Sequence, residues 1–282
     1  MSSASERQAR RVARYYRWLD GLSFFREKRA EGEAAHPVHR ALADPTGGPP
    51  SPMVIHRLML EGVALPASPR VLDAGCGYGA TMIDLAPLLG GEWTGLTLSP
   101  EQAARGNAAI AAAGLSDRVR VLVQSYDAPP EGVFDLIYGI ESLIHSADPA
   151  ATLAGLARRL APGGHLIVVD DMPEPELTPE QTARLAEFKR YWRCPVAPER
   201  AGWLAALEAA GLELRHERDL NTLLQVRGLA AVAARLKELR RKPWLRFGLA
   251  VRAEAEIGGL VLETLQTEGF VHYRLLVAQK PR

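Results

Sequence analysis

Near the start of the chain, apolar side chains recur at spacings of three and four: Val12, Tyr15, Tyr16, Leu19, Leu22 and Phe25. That spacing marks one face of a helix, so residues 5–40 are predicted to form one or two amphipathic helices. Residues 44–52 (DPTGGPPSP) are dense in helix breakers and set a boundary before a further helix around 54–63. After Pro69 the pattern changes to short apolar runs: RVLDAG, EWTGLTL, RVRVLVQ, FDLIYGI and HLIVVD, with helical stretches between them. Such alternation predicts a parallel sheet covered on both faces. A helix over 198–210 leads into LELRHERDL, and FVHYRLLVAQ closes the sheet.

The expected fold class is therefore α/β, a doubly wound, mostly parallel seven-stranded sheet. The last two strands would ordinarily form a hairpin with a short connection, yet residues 221–268 lie between them. That stretch is read as a helical insertion of the kind that carries specificity. The resulting division is a helical N-terminal cap over 1–66, an α/β body over 67–220, the insertion over 221–268 and a closing strand over 269–282.

With 282 residues, 47% apolar and 24% charged, the chain has the balance of an ordinary globular protein. Its net charge of +1 supplies no cationic excess for phosphate contacts, so nucleic acid is not an expected partner. Cys76 and Cys194 are the only cysteines, too few for a disulfide framework and at no zinc-site spacing. Residues 2–17 are polar and basic, and no long uninterrupted apolar run occurs, so neither an export signal nor stable membrane insertion is expected. A cytoplasmic location follows as an expectation, and a homo-oligomer is left open. The clusters ARRVAR and KELRRK read as solvated helix faces.

The most informative stretch is VLDAGCGYG over 71–79, where the first strand turns into the first helix. Gly75, Gly77 and Gly79 let backbone approach a ligand closely, and the following helix start offers unpaired N–H groups to an anion. Asp73 beside them would attract an ammonium group. S-adenosyl-L-methionine carries both an amino and a carboxylate group. The segment resembles the first motif of class I S-adenosylmethionine-dependent methyltransferases, and the resemblance continues to about Asp171. A dinucleotide loop would instead read G-x-G-x-x-G with an acidic residue about 20 positions on.

At the end of the second strand most class I methyltransferases place an acid against the ribose. Here GLTLSPEQ over 95–102 is similar to the variant in cyclopropane fatty acid synthases, tocopherol methyltransferases and relatives acting on sterols and terpenoids. The resemblance implies that Thr97 and Ser99 line the ribose region and that Gln102 reaches its hydroxyls. Ser99 and Pro100 also fit the N-cap and first position of a helix, which would put Gln102 in its first turn. After the third strand, Ser125, Tyr126 and Asp127 are candidates for the adenine, with the register among them open.

FDLIYGIESLIH over 134–145 resembles the fourth motif, which faces the transferring methyl group. Glu141 and His145 lie beyond the strand, four apart, and on a short helix would share a face. Methyl transfer needs alignment above all, and a base where the acceptor loses a proton. These two are the candidate catalytic residues. Pro162, Gly163 and Gly164 are read as a helix-to-strand turn.

Aromatic residues outside the sheet (Tyr15, Tyr16, Trp18, Phe24, Phe25, Tyr191, Trp192, Trp244 and Phe247) suit an apolar or transiently cationic acceptor, or a helical core. EGEAAHPVHRAL over 31–42 is similar to an N-terminal segment of terpenoid and polyketide methyltransferases, implying that His36, His39 and Arg40 close over the acceptor. Tyr16, His39, Tyr191 and Trp192 are the substrate candidates. His36 and His39 lack a third ligand, and no metal is expected.

The expected function is S-adenosylmethionine-dependent methylation of a small apolar molecule of terpenoid, prenyl or polyketide type, at carbon first. The alternatives are N- or O-methylation of a small natural product, cyclopropane formation on a lipid, and a noncatalytic cofactor-binding module.

Overall fold

The computed structural model describes residues 3–21, 38–241 and 250–282. Its sheet comprises β1 (Arg70–Ala74), β2 (Glu92–Thr97), β3 (Val119–Val123), β4 (Phe134–Ile140), β5 (Leu160–Pro173), β6 (Glu213–Asp219) and β7 (Val271–Gln279). The strands lie in the order β3-β2-β1-β4-β5-β7-β6. The first five run parallel, and β7 lies antiparallel between β5 and β6. The chain winds outward from β1 to β3, then returns to build the other half from β4. A crevice therefore opens between the carboxyl ends of β1 and β4, where α/β sheets hold their ligands.

Side-chain alternation divides the core into two layers. Val71 of β1, Ile167 of β5 and Leu275 of β7 enter one cluster, while Leu72, Leu166 and Leu276 enter the other. Each such fully buried aliphatic side chain contributes about 1.5–3 kcal/mol. Trp93 fills one layer and Trp203 the other.

The helices are α1 (Ala4–Gly21), α2 (Met53–Leu58), α3 (Ala80–Leu89), α4 (Pro100–Ala112), α5 (Pro149–Arg158), α6 (Pro179–Trp192), α7 (Arg200–Ala209), α8 (Leu229–Arg241) and α9 (Ala250–Thr267). α8 and α9 occupy the segment read as an insertion. With α6 they form a third cluster, including Phe188, Val232, Ile257 and Leu260, which meets the sheet at Val271 of β7. In α1, Val12, Tyr15 and Leu19 are buried, and Tyr15 and Leu19 pack with Tyr78 of the glycine turn and Ala255 of α9. α1 thus rests against the glycine turn at the carboxyl end of β1.

Three expectations change. α6 goes unrecognised in the sequence reading, although its start carries a capping box: Thr178 Oγ1 accepts from Gln181 N and Gln181 Oε1 from Thr178 N, with Pro179 next. The helix expected over 54–63 stops at Leu58, and the chain turns through Gly62 at φ +74°. Pro162 to Gly164 lie within β5, which begins at Leu160 directly after α5, at an irregularity where the β4 register shifts between Phe134 and Leu136, rather than in a loop before the strand. Leu22, Phe24, Phe25, His36, Trp244 and Phe247 lie outside the described residues.

Candidate active site

One cavity of about 370 Å³ occupies the crevice and reaches beneath the cap. Gly75 and Gly77 of the glycine turn line it; Gly79 does not, and a Cβ there would meet Met82 and Val121 of the core. Gly75, Gly77 and Gly79 have φ of +113°, +54° and +74°, the left-handed region that side chains disfavour. A Cβ on Gly75 would stand 2.4 Å from Ser142 Cβ. Ser142 locks this corner by donating its hydroxyl to Ala74 O at 2.6 Å. Its importance was not apparent in the sequence, since the contact joins two strand ends 68 positions apart.

Asp73, at 4% exposure, lines the same cavity. Burial pushes its carboxyl up to about 7, and the hydroxyl of Tyr138, its register partner on β4, works in the opposite direction. Among the described residues no cationic side chain forms an ion pair with it. A buried carboxyl without a cation, beside a cradle that admits no side chain, fits the amino and carboxylate groups of S-adenosylmethionine.

At the end of β2, Thr97 Oγ1 donates to Gln102 Oε1 at 2.7 Å and accepts from Ser99 N at 3.2 Å. Thr97 and Gln102 line the cavity. Ser99 does not: its hydroxyl accepts from Gln102 N and caps α4. The capping alternative therefore describes Ser99, while Gln102 both begins the helix and faces the cavity. Beyond β3, Ser125, Tyr126 and Asp127 all line it. Ser125 Oγ accepts from Asp127 N, the Tyr126 hydroxyl donates to Ser142 O, and Asp127 Oδ1 accepts from Thr152 Oγ1 at 2.5 Å.

Glu141 and His145 both line the cavity but do not share a helical face. Glu141 takes a left-handed φ of +52°, and only residues Leu143–His145 form a single 3₁₀ turn. Glu141 Oε1 accepts from Arg40 N at 3.0 Å and from the Tyr273 hydroxyl at 2.9 Å. Arg40 in turn holds both oxygens of Asp171 at 2.9 and 2.7 Å, and Gln266 Nε2 donates to Asp171 at 2.6 Å. This network clamps the segment around Arg40 to β5, β7 and α9. Its members are contributed by residues far apart in sequence, which is why only Glu141 and Arg40 drew notice there.

His145 Nε2 lies 3.1 Å from the Tyr16 hydroxyl, and the rings meet edge to face at 5.9 Å. Burial lowers the imidazole to about 4, against the opposing pull of the Arg193 and Trp192 carbonyls. It is neutral near pH 7, with a lone pair available to the phenol. Gln8 anchors α1 here by donating to the carbonyls of His145, at 3.0 Å, and Arg193, at 2.6 Å.

Of the acceptor candidates, Tyr16, His39 and Trp192 line the cavity. Trp192 donates its indole N–H to Ala255 O at 3.0 Å. Tyr191 is absent from the lining; its ring packs under the Arg190 guanidinium at 4.4 Å. Gly258 admits this packing, since a Cβ there would lie 2.5 Å from Trp192 Cδ1. Among the described residues no cluster of three or more His, Cys, Asp or Glu is placed to hold a metal, and no helix is long and apolar enough to cross a membrane.

Sheet order, glycine cradle and buried carboxyl agree with the fold of a methyltransferase domain. The chain belongs to the family described as a methyltransferase domain, whose model matches residues 14–234. It is 29% identical over 80% of its length to a probable chloroplastic tocopherol O-methyltransferase of Oryza sativa subsp. japonica, covering 66% of that protein. It is 30% identical over 77% of its length to the 27-O-demethylrifamycin SV methyltransferase of Amycolatopsis mediterranei, covering 79% of it. The matches span less than two thirds of the length of the first curated relatives. In fold it is similar to the [4+2]-cyclase SpnF, with a TM-score of 0.71, 22% identity and 97% of each chain covered.

Proposed function

We propose that this protein transfers the methyl group of S-adenosylmethionine to an apolar acceptor of terpenoid, prenyl or polyketide type, with carbon as the first acceptor atom. The observation that carries this reading is the continuity of one cavity from the Asp73 and glycine cradle to the Tyr16–His145 pair. The acceptors named for the relatives, a tocopherol and a demethylrifamycin, support the acceptor class.

When bound, the cofactor supplies a methyl group on a sulfonium, activated for in-line displacement. Asp73 holds the amino group, the N–H groups at the start of α3 receive the carboxylate, and Thr97, Gln102 and the 125–127 turn hold the nucleoside. Tyr16 and His145 take a proton from the acceptor, with neutral imidazole as the base and the phenol as its link. The same pair suits an acceptor hydroxyl, which makes oxygen the second reading. Glu141, already engaged by Arg40 and Tyr273, orients the substrate end of the cavity. We read residues 67–220 and 269–282 as the cofactor-binding body, 1–66 and 221–268 as the acceptor-side cap, and the cytosol as the location.

Isothermal titration with S-adenosylmethionine tests the cofactor, and affinity no tighter than millimolar would end the reading. Incubation with methyl-labelled cofactor and apolar terpenoid, prenylated phenol and polyketide acceptors tests the transfer. Carbon–methyl and oxygen–methyl products are separated by the carbon shift of the new methyl group in NMR.

A further inference from the structure

A row of three titratable side chains runs from the main cavity to the opposite side of α2. His39 lines the cavity, and its Nε2 lies 3.0 Å from Nε2 of His56. The two rings meet edge-on at 5.1 Å. His56, in α2, is buried at 1% exposure, and its Nδ1 lies 2.7 Å from Oδ2 of Asp84 in α3. The Asp84 side chain is 32% exposed and, together with His56, lines a second depression that also contains Asp44 and Arg57. His56 stands among core neighbours, with Val54, Ile55 and Leu58 on the same short helix wholly buried. An apolar side chain would fill that place without needing polar partners on both sides.

We propose that His39, His56 and Asp84 form a proton relay that drains the acceptor's proton from the cavity to solvent. This rests on the methyl-transfer reading, because a proton is released only where the acceptor is methylated at an X–H bond. In the resting relay, His56 donates Nδ1–H to Asp84 and accepts Nε2–H from His39, which leaves the His39 Nδ1 lone pair open. The acceptor's proton, once taken by the Tyr16–His145 pair, passes through cavity water to Nδ1 of His39. The Nε2–H of His39 then passes to Nε2 of His56, and the positive charge comes to rest beside the Asp84 carboxylate. Loss of the Nδ1 proton of His56 through Asp84 to water in the second depression leaves both imidazoles in the opposite tautomer, and rotation of the two rings restores the starting row, so one proton enters and one leaves. Nδ1 of His39 is 3.4 Å from Arg40 O, within reach of a weak hydrogen bond once the proton has arrived there.

The groups facing the row agree with this direction. His39 faces His56, Glu141 and Arg40; burial lowers it to about 4, with Glu141 opposing and His56 reinforcing that shift. It does not retain a proton, and the next imidazole along has the carboxylate. The relay differs from the Tyr16–His145 pair in that it opens to water at its far end.

The test is nitrogen-15 long-range NMR of the imidazoles in the full chain, free and saturated with S-adenosylhomocysteine, across a pH titration. The expected result is that His39 switches from the Nε2–H to the Nδ1–H tautomer at the same midpoint at which His56 gains its second proton. Asp84→Asn is expected to move both midpoints down together by about 1–3 pH units, the usual effect of losing an adjacent opposite charge. His56→Gln, which keeps a hydrogen-bonding partner for His39, is expected to abolish the tautomer switch. A His39 that holds one tautomer throughout, or midpoints that separate in Asp84→Asn, would overturn the relay and leave a structural hydrogen-bonded row. Failure to bind S-adenosylhomocysteine would count against the cofactor reading alone, since the spectra of the free chain still decide the relay.

Discussion

The Tyr16 hydroxyl lies 3.1 Å from Nε2 of His145, joining the first helix of the cap to the end of the strand beside the cofactor cradle. α1 therefore supplies part of the cavity wall beside that strand end. Tyr16→Phe and His145→Gln are each expected to lower kcat by about 100-fold or more, the usual contribution of positioned proton transfer. The Kd for S-adenosylmethionine should stay within about twofold, because neither residue belongs to the cradle. Steady-state kinetics and calorimetry on the same preparations check both, and equal losses in kcat and cofactor affinity would contradict the assignment.

Asp73 gives the site its pH dependence. Its folded carboxyl is raised to about 7, whereas an unfolded aspartate titrates near about 4. The protonated form is thus favoured by folding: this contribution to stability is full below the unfolded value and is lost as the pH rises through about 7. Cofactor binding requires the ionised form, so affinity should rise up to about tenfold per unit as the pH approaches that midpoint from below, then level off. Asp73→Asn should bind more weakly and lose this slope. Calorimetric titrations from pH 5.5 to 8.5 test the expectation.

Gly75 has no room for a side chain. The Cβ of Gly75→Ala would press on Ser142 at 2.4 Å from a φ of +113°, both unfavourable. Strain and overpacking together should destabilise the fold by about 2–4 kcal/mol. Urea denaturation measures that loss, and residual folded protein should bind S-adenosylmethionine poorly because the cradle has shifted.

The Arg40 network predicts unequal costs for two deletions. Arg40→Met leaves the buried Asp171 with one donor, Gln266, and no counterion, a change expected to cost about 3–5 kcal/mol. Tyr273→Phe removes a single hydroxyl donor to Glu141 and should cost about 1 kcal/mol. Equal effects in thermal and urea unfolding would mean that the two bonds to Glu141, rather than the Asp171 pair, hold the segment.

Local pattern carried much of this protein. Alternating apolar runs and helical stretches determined the seven strands, because a strand buried on both faces must be apolar along its length. The positive-φ cradle was legible as well, since glycine meets that conformation without strain, and Thr97, Gln102 and the 125–127 turn follow from their place at strand ends. Ser99 shows where such inference stops: a hydroxyl one residue from a ligand crevice can equally end as a helix cap, and only the path of the backbone decides. Tertiary structure alone brought Tyr16 against His145, Arg40 against Asp171 and Tyr273, and His39 against His56 and Asp84. These contacts join residues between 17 and 233 positions apart in the chain, where no period or spacing records them. Sequence periodicity reports which face of an element avoids water; which polar groups then meet inside is decided by how those faces pack.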